Sequence, residues 1–300
     1  MLDFHPFRPE DAAWLRPYLE RTPDLSCEFS PGCLIMWGNA KIAKCGDFYV
    51  PMVNYGDGPL YLRPIGAADF TSVLPILLED SKERGIPFRM TGITEPVKNQ
   101  LAETTNFIFT HNRNYSDYVY SIEALSTLAG RKLQAKRNHI NNLIKRYPDW
   151  VCEPITPDNL DECEFMVKLW YDEHLEAGGA PNAYRGEQRA LSIAFSNYKA
   201  MGFDGLLLRL DGRVAAFSMG QRINQISYDV NFEKAFASIQ GAYALINREF
   251  SRMIHEKYPE IQFLDREDDM GLDTLRKAKL SYYPAVILDK YVASLPEESK

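Results

Sequence analysis

Apolar positions recur at helical spacing through Trp14, Leu15, Tyr18 and Leu19, behind Pro9, Glu10 and Asp11. A proline at the first helical position followed by acids in the first turn is how a helix opens. Thr156, Pro157 and Asp158 repeat that opening ahead of Leu160, Phe165, Met166 and Leu169. Between the two openings, short apolar or alternating runs predict strands near 33–37, 47–53 and 60–63, a helix over 68–84, a strand at 88–90, a helix near 95–102, and strands at 107–110 and 115–120. The second half predicts helices near 160–174 and 187–200 and a strand at 206–210, with Asp211-Gly212 turning the chain into a hairpin strand over 213–220. A third strand near 225–230, a helix over 241–256, a strand at 261–265, a short helix near 273–280 and a last strand at 285–291 complete the pattern.

An antiparallel meander, a crossover helix, a parallel strand, a short helix and a further strand, met twice, is the order of a GNAT-type acyltransferase domain in tandem. The expected class is α/β (α+β), with tandem GNAT-like domains built on mixed sheets flanked by helices. The expected division is an N-terminal domain over 1–122, a basic linking helix over 123–150 and a C-terminal domain over 151–300. On this expectation the last strand of the first half leads into the basic helix.

With 45% hydrophobic and 25% charged residues in a chain of 300, a substantial core is affordable only in a folded globular protein, which excludes the disordered and collagen-like classes. No apolar run approaches the ~20 residues that span a bilayer. Residues 1–10 carry acids, a histidine and two prolines where a signal peptide needs an apolar stretch, so a cytoplasmic chain is expected. The five cysteines Cys27, Cys33, Cys45, Cys152 and Cys163 are odd in number and contain no C-x-x-C, and are read as thiols. Cys27, Cys33 and Cys45 match no zinc spacing and have no histidine close in sequence, so no metal is expected.

The net charge of −7 conceals an asymmetry, because no acid lies between Glu123 and Asp149 while Arg131, Lys132, Lys136, Arg137, Lys145 and Arg146 all do. As one helix over 129–146, this stretch would turn Leu133, Ile140 and Ile144 to the core and gather most of its charge on one polar face. Arg131, Lys132, Lys136 and Arg137 are the candidate nucleic-acid contacts, since phosphate contacts by lysine and arginine dominate such affinity. A solvated face or an interdomain strap is the alternative.

Charge of the opposite sign gathers at Asp265-Arg266-Glu267-Asp268-Asp269, where a strand ends, the edge at which open α/β sheets place ligands. Carboxylates this dense repel one another and call for a cation. Asp268 and Asp269 also suit turn and cap contacts. Gly241-Ala242 opens the long helix where a GNAT domain cradles pyrophosphate, but 237–242 reads Ala-Ser-Ile-Gln-Gly-Ala, only part of Q/R-x-x-G-x-G/A, which argues against acyl-CoA. Asp172, Glu173 and His174 read as a solvated helix end, and no G-x-S-x-G, H-E-x-x-H or Walker loop is present.

The run from Asp265 to Leu272, continued by Leu275-Arg276-Lys277-Ala278-Lys279-Leu280-Ser281-Tyr282, resembles a motif of the phosphatidylglycerol lysyltransferase C-terminal family. YSDYVY at 115–120, GRKLQAKRNHINNL at 130–143, and Glu233-Lys234-Ala235 ahead of Gly241-Ala242-Tyr243 and Ile246-Asn247 extend the resemblance over nearly the whole chain. It implies a tandem GNAT fold shared with the peptidoglycan-bridge aminoacyltransferases. In the characterised branch it implies transfer of an amino acid from aminoacyl-tRNA to a lipid head group, and the expectation here is of that activity without the membrane-spanning half of those enzymes. By this resemblance the site lies in the C-terminal half. Glu233, Arg266, Glu267 and Asp269 are the expected catalytic residues, Glu267 or Asp269 holding the α-ammonium and Arg266 pairing with them or steadying an oxyanion. Asp229, Lys234, Gly241, Lys277, Lys279 and Tyr282 are the expected substrate contacts, with Lys277 and Lys279 toward phosphate. The expected donor is aminoacyl-tRNA with no tightly bound cofactor, tRNA is the expected partner, and the acceptor is a small molecule, lipid head group or peptide. An acyl-CoA-dependent N-acyltransferase and a non-catalytic binding protein are the alternatives.

Overall fold

The computed structural model describes residues 1–176 and 184–296. The first half runs β1 (His5–Pro6), α1 (Pro9–Leu19), a 3-10 turn (Cys27–Phe29), α2 (Pro31–Met36), β2 (Lys41–Cys45), β3 (Phe48–Val53), β4 (Leu60–Leu62), β5 (Ile65–Gly66), α3 (Leu74–Arg84), β6 (Arg89–Ile93), α4 (Glu95–Thr104), β7 (Ile108–His111) and β8 (Asp117–Ser121). Two helices, α5 (Ile122–Thr127) and α6 (Gln134–Arg146), lead to β9 (Val151–Pro154), α7 (Leu160–Glu176), α8 (Arg185–Ser196), α9 (Tyr198–Met201), β10 (Asp204–Leu210), β11 (Arg213–Arg222) and β12 (Ser227–Ala235). The chain ends with α10 (Ala242–Lys257), β13 (Phe263–Asp265), α11 (Asp273–Leu280), β14 (Val286–Leu288) and β15 (Tyr291–Ser294).

Local chemistry explains several boundaries. Pro9 opens α1 and the Asp11 carboxylate accepts the Arg8 N–H at 2.8 Å, satisfying a donor the helix leaves free. Asp211 and Gly212, both at positive φ, form the two-residue turn between β10 and β11. The run at 33–37, expected as a strand, is helix α2. A short apolar stretch fits either state, and Pro31 at the first turn decides for the helix.

Two mixed sheets carry the fold. The first has the order β1-β2-β3-β4-β6-β15-β7, with β5 beside β3, and the second β14-β8-β13-β12-β11-β10-β9. In each, a meander leads through a crossover helix (α3 or α10) to one parallel pair, β4 with β6 and β12 with β13. The strand beyond that pair comes from the other half of the chain. β8 lies antiparallel between β13 and β14, and β15 antiparallel between β6 and β7. The division at 122 expected from the sequence therefore does not coincide with the sheets, because β8 belongs to the second and β15 to the first. The single strand expected at 285–291 is two strands, with Asp289 and Lys290 at the crossing between sheets.

One core, containing Leu15, Phe29, Leu34, Met166, Leu191 and Phe217, joins α1 and α2 to α7, α8 and the second sheet. A second packs α5, α6 and α10 on the opposite face of that sheet, and a third fills the far side of the first sheet around Tyr61, Leu77 and Met90. The 3-10 turn and α2 of the first half consequently press on one face of the second sheet, while α6 and α10 cover the other.

Candidate functional site

The parallel pairing of β12 with β13 ends at Asp229 opposite Asp265. Beyond it β12 stays with β11 through a register shift between Met219 and Gln221, and the chain after Asp265 turns away. At Gly220 the backbone carbonyl of Asp229 would lie 2.0 Å from any Cβ, so only glycine admits this approach. Asp229 and Asp265 are fully buried, and so is Asp117 of β8. From the first half, Cys27 N donates to Asp265 Oδ2 at 2.9 Å, and the Cys27 thiol and Ser26 hydroxyl face Asp117 Oδ2 at 3.5 and 3.4 Å. Cys33 Sγ lies 3.3 Å from Asp229 Oδ2 and 3.5 Å from Glu267 Oε1, and Asn231 Nδ2 donates to Asp229 Oδ2 at 2.6 Å.

Glu267 enters this cluster from a left-handed backbone conformation, φ 56°. That conformation costs a residue with a Cβ about 1–2 kcal/mol and is held only where its surroundings dictate it. Here Asp265 Oδ1 accepts the Glu267 N–H at 2.8 Å, and buried Lys279 donates to the carbonyls of Arg266, Glu267 and Asp268. Lys279 thus spends its donors on backbone rather than on the acids.

Among the described residues, the one ion pair made by Asp117, Asp229, Asp265 and Glu267 is that of Asp117 with Lys290, at 2.6 Å. Burial opposes the Lys290 charge, but Asp117, Cys27 and Glu28 hold its pKa well above the ordinary lysine range. Burial pushes Asp229 up to about 7. Burial, with Asp117 and Asp229 adding repulsion, raises Asp265 well above the carboxylate range, and burial with Asp229 does the same to Glu267. The cluster is short of positive charge.

On the other face, Arg266 spans the gap where β12 and β13 diverge. Its Nη2 donates to Glu233 Oε1 at 2.8 Å, and Asn247 Nδ2 of α10 donates to Glu233 Oε2 at 2.9 Å. The guanidinium lies 5.5 Å from the Tyr120 ring centroid and 5.0 Å from that of Tyr282. Lys136 of α6 is 3.9 Å from the Tyr282 centroid and donates to Ser281 Oγ at 2.7 Å. Burial, then the nearby Arg266, lowers the Lys136 pKa.

Of the residues singled out from the sequence, Asp229 and Glu267 meet on the acidic face, with Lys279 beneath, while Glu233, Arg266, Tyr282 and Lys136 meet on the opposite one. Asp269 joins neither. It is fully buried, accepts from Arg276 at 2.8 and 2.9 Å, from Gly271 N at 2.8 Å and from the Tyr118 hydroxyl, and these donors hold it well below the usual carboxylate range, Arg276 foremost. Lys234 points to the core side, paired with Glu187 at 2.7 Å and 3.6 Å from the Trp170 ring centroid. Gly241, at φ 97°, backs onto α6, where the His139 carbonyl would meet a Cβ at 2.6 Å. Lys277 is exposed on α11. Helix α6 starts at Gln134 rather than 129, which leaves Arg131 and Lys132 on the loop before it, both exposed. Arg137 donates to the carbonyls of Leu128 and Gly130, which ties that loop to the helix.

Sequence reasoning missed Asp117, Cys27, Cys33, Asn231 and Lys290 as members of the cluster. Asp117 lay inside the YSDYVY run. The sequence groups Cys27 and Cys33 with Cys45, which is buried in a different core.

The model of the family described as phosphatidylglycerol lysyltransferase, C-terminal, matches residues 20–294. A crystal structure of a conserved protein of unknown function from Bacteroides thetaiotaomicron VPI-5482 is 36% identical, over 99% of this chain and 100% of that one, with a TM-score of 0.91. L-PGS from Bacillus licheniformis shares the fold at 13% identity, over 98% of this chain and 94% of that one, with a TM-score of 0.67. A tandem GNAT protein from the clavulanic acid biosynthesis pathway does so at 11% identity, over the whole of both chains, with a TM-score of 0.51. An uncharacterized protein of Mycoplasmoides gallisepticum is 26% identical over 185 residues, 60% of this chain, which spans about half (56%) of that relative's length. Among the described residues no helix is long and apolar enough to cross a membrane. With the tandem GNAT architecture in both sheets and the family match running through nearly every element, the chain belongs to the phosphatidylglycerol lysyltransferase C-terminal family.

Proposed function

We propose that this chain is an aminoacyltransferase that moves an amino acid from aminoacyl-tRNA to an amine or hydroxyl acceptor. The shortage of positive charge around Asp229, Asp265 and Glu267 carries the proposal. Buried carboxylates without a cationic partner take up protons or a cation, and an aminoacyl ester brings an ammonium. Glu267, partly exposed at the edge of the cluster, is the carboxylate that receives it. The acceptor then attacks the ester carbonyl, and its proton passes to a carboxylate of this cluster, whose raised affinity for protons suits a general base near neutral pH.

The crowding of α6 against Gly241 at the start of α10 supports aminoacyl-tRNA over acyl-CoA as donor. A pyrophosphate needs the open N-terminus of that helix, and here Gly241 packs against the His139 carbonyl and Leu143 of α6. The family match and the fold shared with L-PGS support the same class of reaction.

Incubation with a pool of labelled aminoacyl-tRNAs and a cell extract, followed by product identification, tests the proposal. A labelled product that disappears in Glu267→Gln is expected. Thermal stabilisation by acetyl-CoA, with none by charged tRNA, would instead favour the acyl-CoA reading.

A further inference from the structure

Cations and aromatic rings alternate along one chain of contacts on the α6 side of the second sheet. At its open end Lys132 Nζ lies 5.2 Å from the Tyr283 ring centroid. At the neighbouring ring Lys136 Nζ lies 3.9 Å from the Tyr282 centroid, and on the same ring the Arg266 guanidinium lies at 5.0 Å. Exposure falls along this path. Tyr283 is 52% exposed, Lys136 is half-buried, and the Arg266 side chain is 13% exposed where β12 and β13 part. Tyr283 moreover holds its ring in the open on a left-handed backbone, φ 54°. A residue with a Cβ is disfavoured there, and an exposed ring gains no core burial in return.

The closed end supplies a second, independent observation. Arg266 Nη2 and Asn247 Nδ2 both donate to Glu233, yet Arg266 Nη1 and Asn247 Oδ1 are buried without a hydrogen-bond partner. Asn247 is 2% exposed. Buried polar atoms are rarely left so. One spare donor and one spare acceptor, on two side chains that share Glu233, suit a ligand that carries a singly charged oxyanion together with a hydroxyl. The last nucleotide of an RNA strand has both, as its phosphodiester and its ribose 2′-hydroxyl. Bases stack on tyrosine rings whatever their sequence, and lysine and arginine meet the phosphates. A duplex is too broad to follow a path that ends on a guanidinium between two strands, whereas a single-stranded end is not.

We propose that this path binds the single-stranded 3′ end of an RNA, with a base on Tyr283, phosphates on Lys132, Lys136 and Arg266, and the last ribose 2′-hydroxyl on Asn247 and Glu233. Lys136, bonded to Ser281 Oγ in the free protein, is the side chain that shifts to admit a phosphate to Arg266. The inference rests on the aminoacyl-tRNA reading and gives the donor its place. An ester on that ribose faces the divergence of β12 and β13, with Glu267 on the far side.

The test is fluorescence anisotropy of the full chain with a short, uncharged, single-stranded RNA of the tRNA 3′-terminal sequence, alongside the same strand ending in a 2′-deoxynucleotide and the same sequence as a duplex. The wild type should prefer the ribose end to the deoxy end by about 10-fold and bind the duplex more weakly than either. Asn247→Ala should abolish the preference for ribose. Tyr283→Ala should weaken both single strands by about 10-fold and Tyr283→Trp restore them. Tyr283 is exposed, so its variants decide even where Asn247→Ala folds poorly. Equal affinity of the wild type for ribose and deoxy ends, tighter binding of the duplex, or indifference to Tyr283→Ala overturns the proposal. Binding is read on uncharged RNA, which keeps the two readings apart. Transfer that persists undiminished in Tyr283→Ala and from a 2′-deoxy donor would refute this path and leave the transferase reading standing, while ribose-selective binding with no transfer from any aminoacyl-tRNA would do the reverse.

Discussion

Glu267 and Asp269 stand two residues apart in one acidic run, yet their surroundings have little in common. Asp269 is surrounded by donors: the Arg276 guanidinium, the Gly271 N–H and the Tyr118 hydroxyl, with Arg113 at 3.8 Å. Glu267 faces a thiol and one amide, with the Asp229 carboxylate the leading charge against it, on a backbone turned left-handed to bring it there. The first is an anion whose charge the fold has matched, and the second one whose charge the fold has left open. Density of acids in a sequence announces that a cation is needed nearby, but only the packing decides which acids already have one.

Exchanging each carboxylate for its amide should separate the two most sharply. Glu267→Gln removes a titratable carboxyl group with no ionic partner, so transfer should fall by roughly 10²- to 10³-fold while the melting temperature stays within a few degrees. Asp269→Asn leaves Arg276 beside a site built for an anion, and should lower the melting temperature by on the order of 5–10 °C. Equal losses of stability in the two variants would erase the distinction and make Glu267 part of the loop's scaffold.

Acidity should separate them as well. Asp229, about 7 in the folded chain against an ordinary 3.8, binds its proton more tightly folded than unfolded. The stability this confers is fully present below about pH 4 and lost as pH rises through 7. Asp269 is shifted the other way, so its contribution is present above the ordinary carboxylate value and lost only as strong acid protonates it. The melting temperature should therefore decline by several degrees between pH 5 and 8, and Asp229→Asn should flatten that decline. Asp265 and Glu267 titrate with Asp229, so the midpoint belongs to the group rather than to one residue. A melting temperature that rises over this range in the wild type would contradict the unpaired state of the cluster.

The tandem order of elements was legible because periodicity is local, and α1, α3, α10 and the β10–β11 hairpin lie close to where it put them. Sheet membership was not. β8 and β15 look like the ends of their own halves, and only pairing across roughly 140 residues for β8 and roughly 200 for β15 sends each to the other sheet. The same long reach hid half of the cluster. Asp117 and Asp265 become neighbours through the exchanged strand, and Lys290 comes to Asp117 because the chain crosses between sheets there. Cys33 was obscured by a local ambiguity, since a five-residue apolar run is strand or helix until its packing is known. Glu267, Asp229 and Arg266 could be found because they border strand ends, a position that periodicity does reveal.

The contrast between matched and open charge extends to the basic stretch, where its effects should be smallest. Arg137 is bonded to the carbonyls of Leu128 and Gly130, whereas Lys132 is exposed with its ammonium 5.2 Å from the Tyr283 ring centroid. If the stretch meets the phosphates of tRNA, each contacting cation contributes close to one unit to the slope of log affinity against log salt. Lys132→Ala should then flatten the slope by about 0.7–0.9 unit, alike for different RNA sequences, and leave the melting temperature unchanged. Arg137→Ala should lower the melting temperature by a few degrees and leave the slope alone, because its guanidinium is engaged within the protein. Lys136, shared between Tyr282 and Ser281, should show part of each effect. A slope that responds to Arg137→Ala but not to Lys132→Ala would mean that RNA meets this protein on a surface that the exposed lysine does not share.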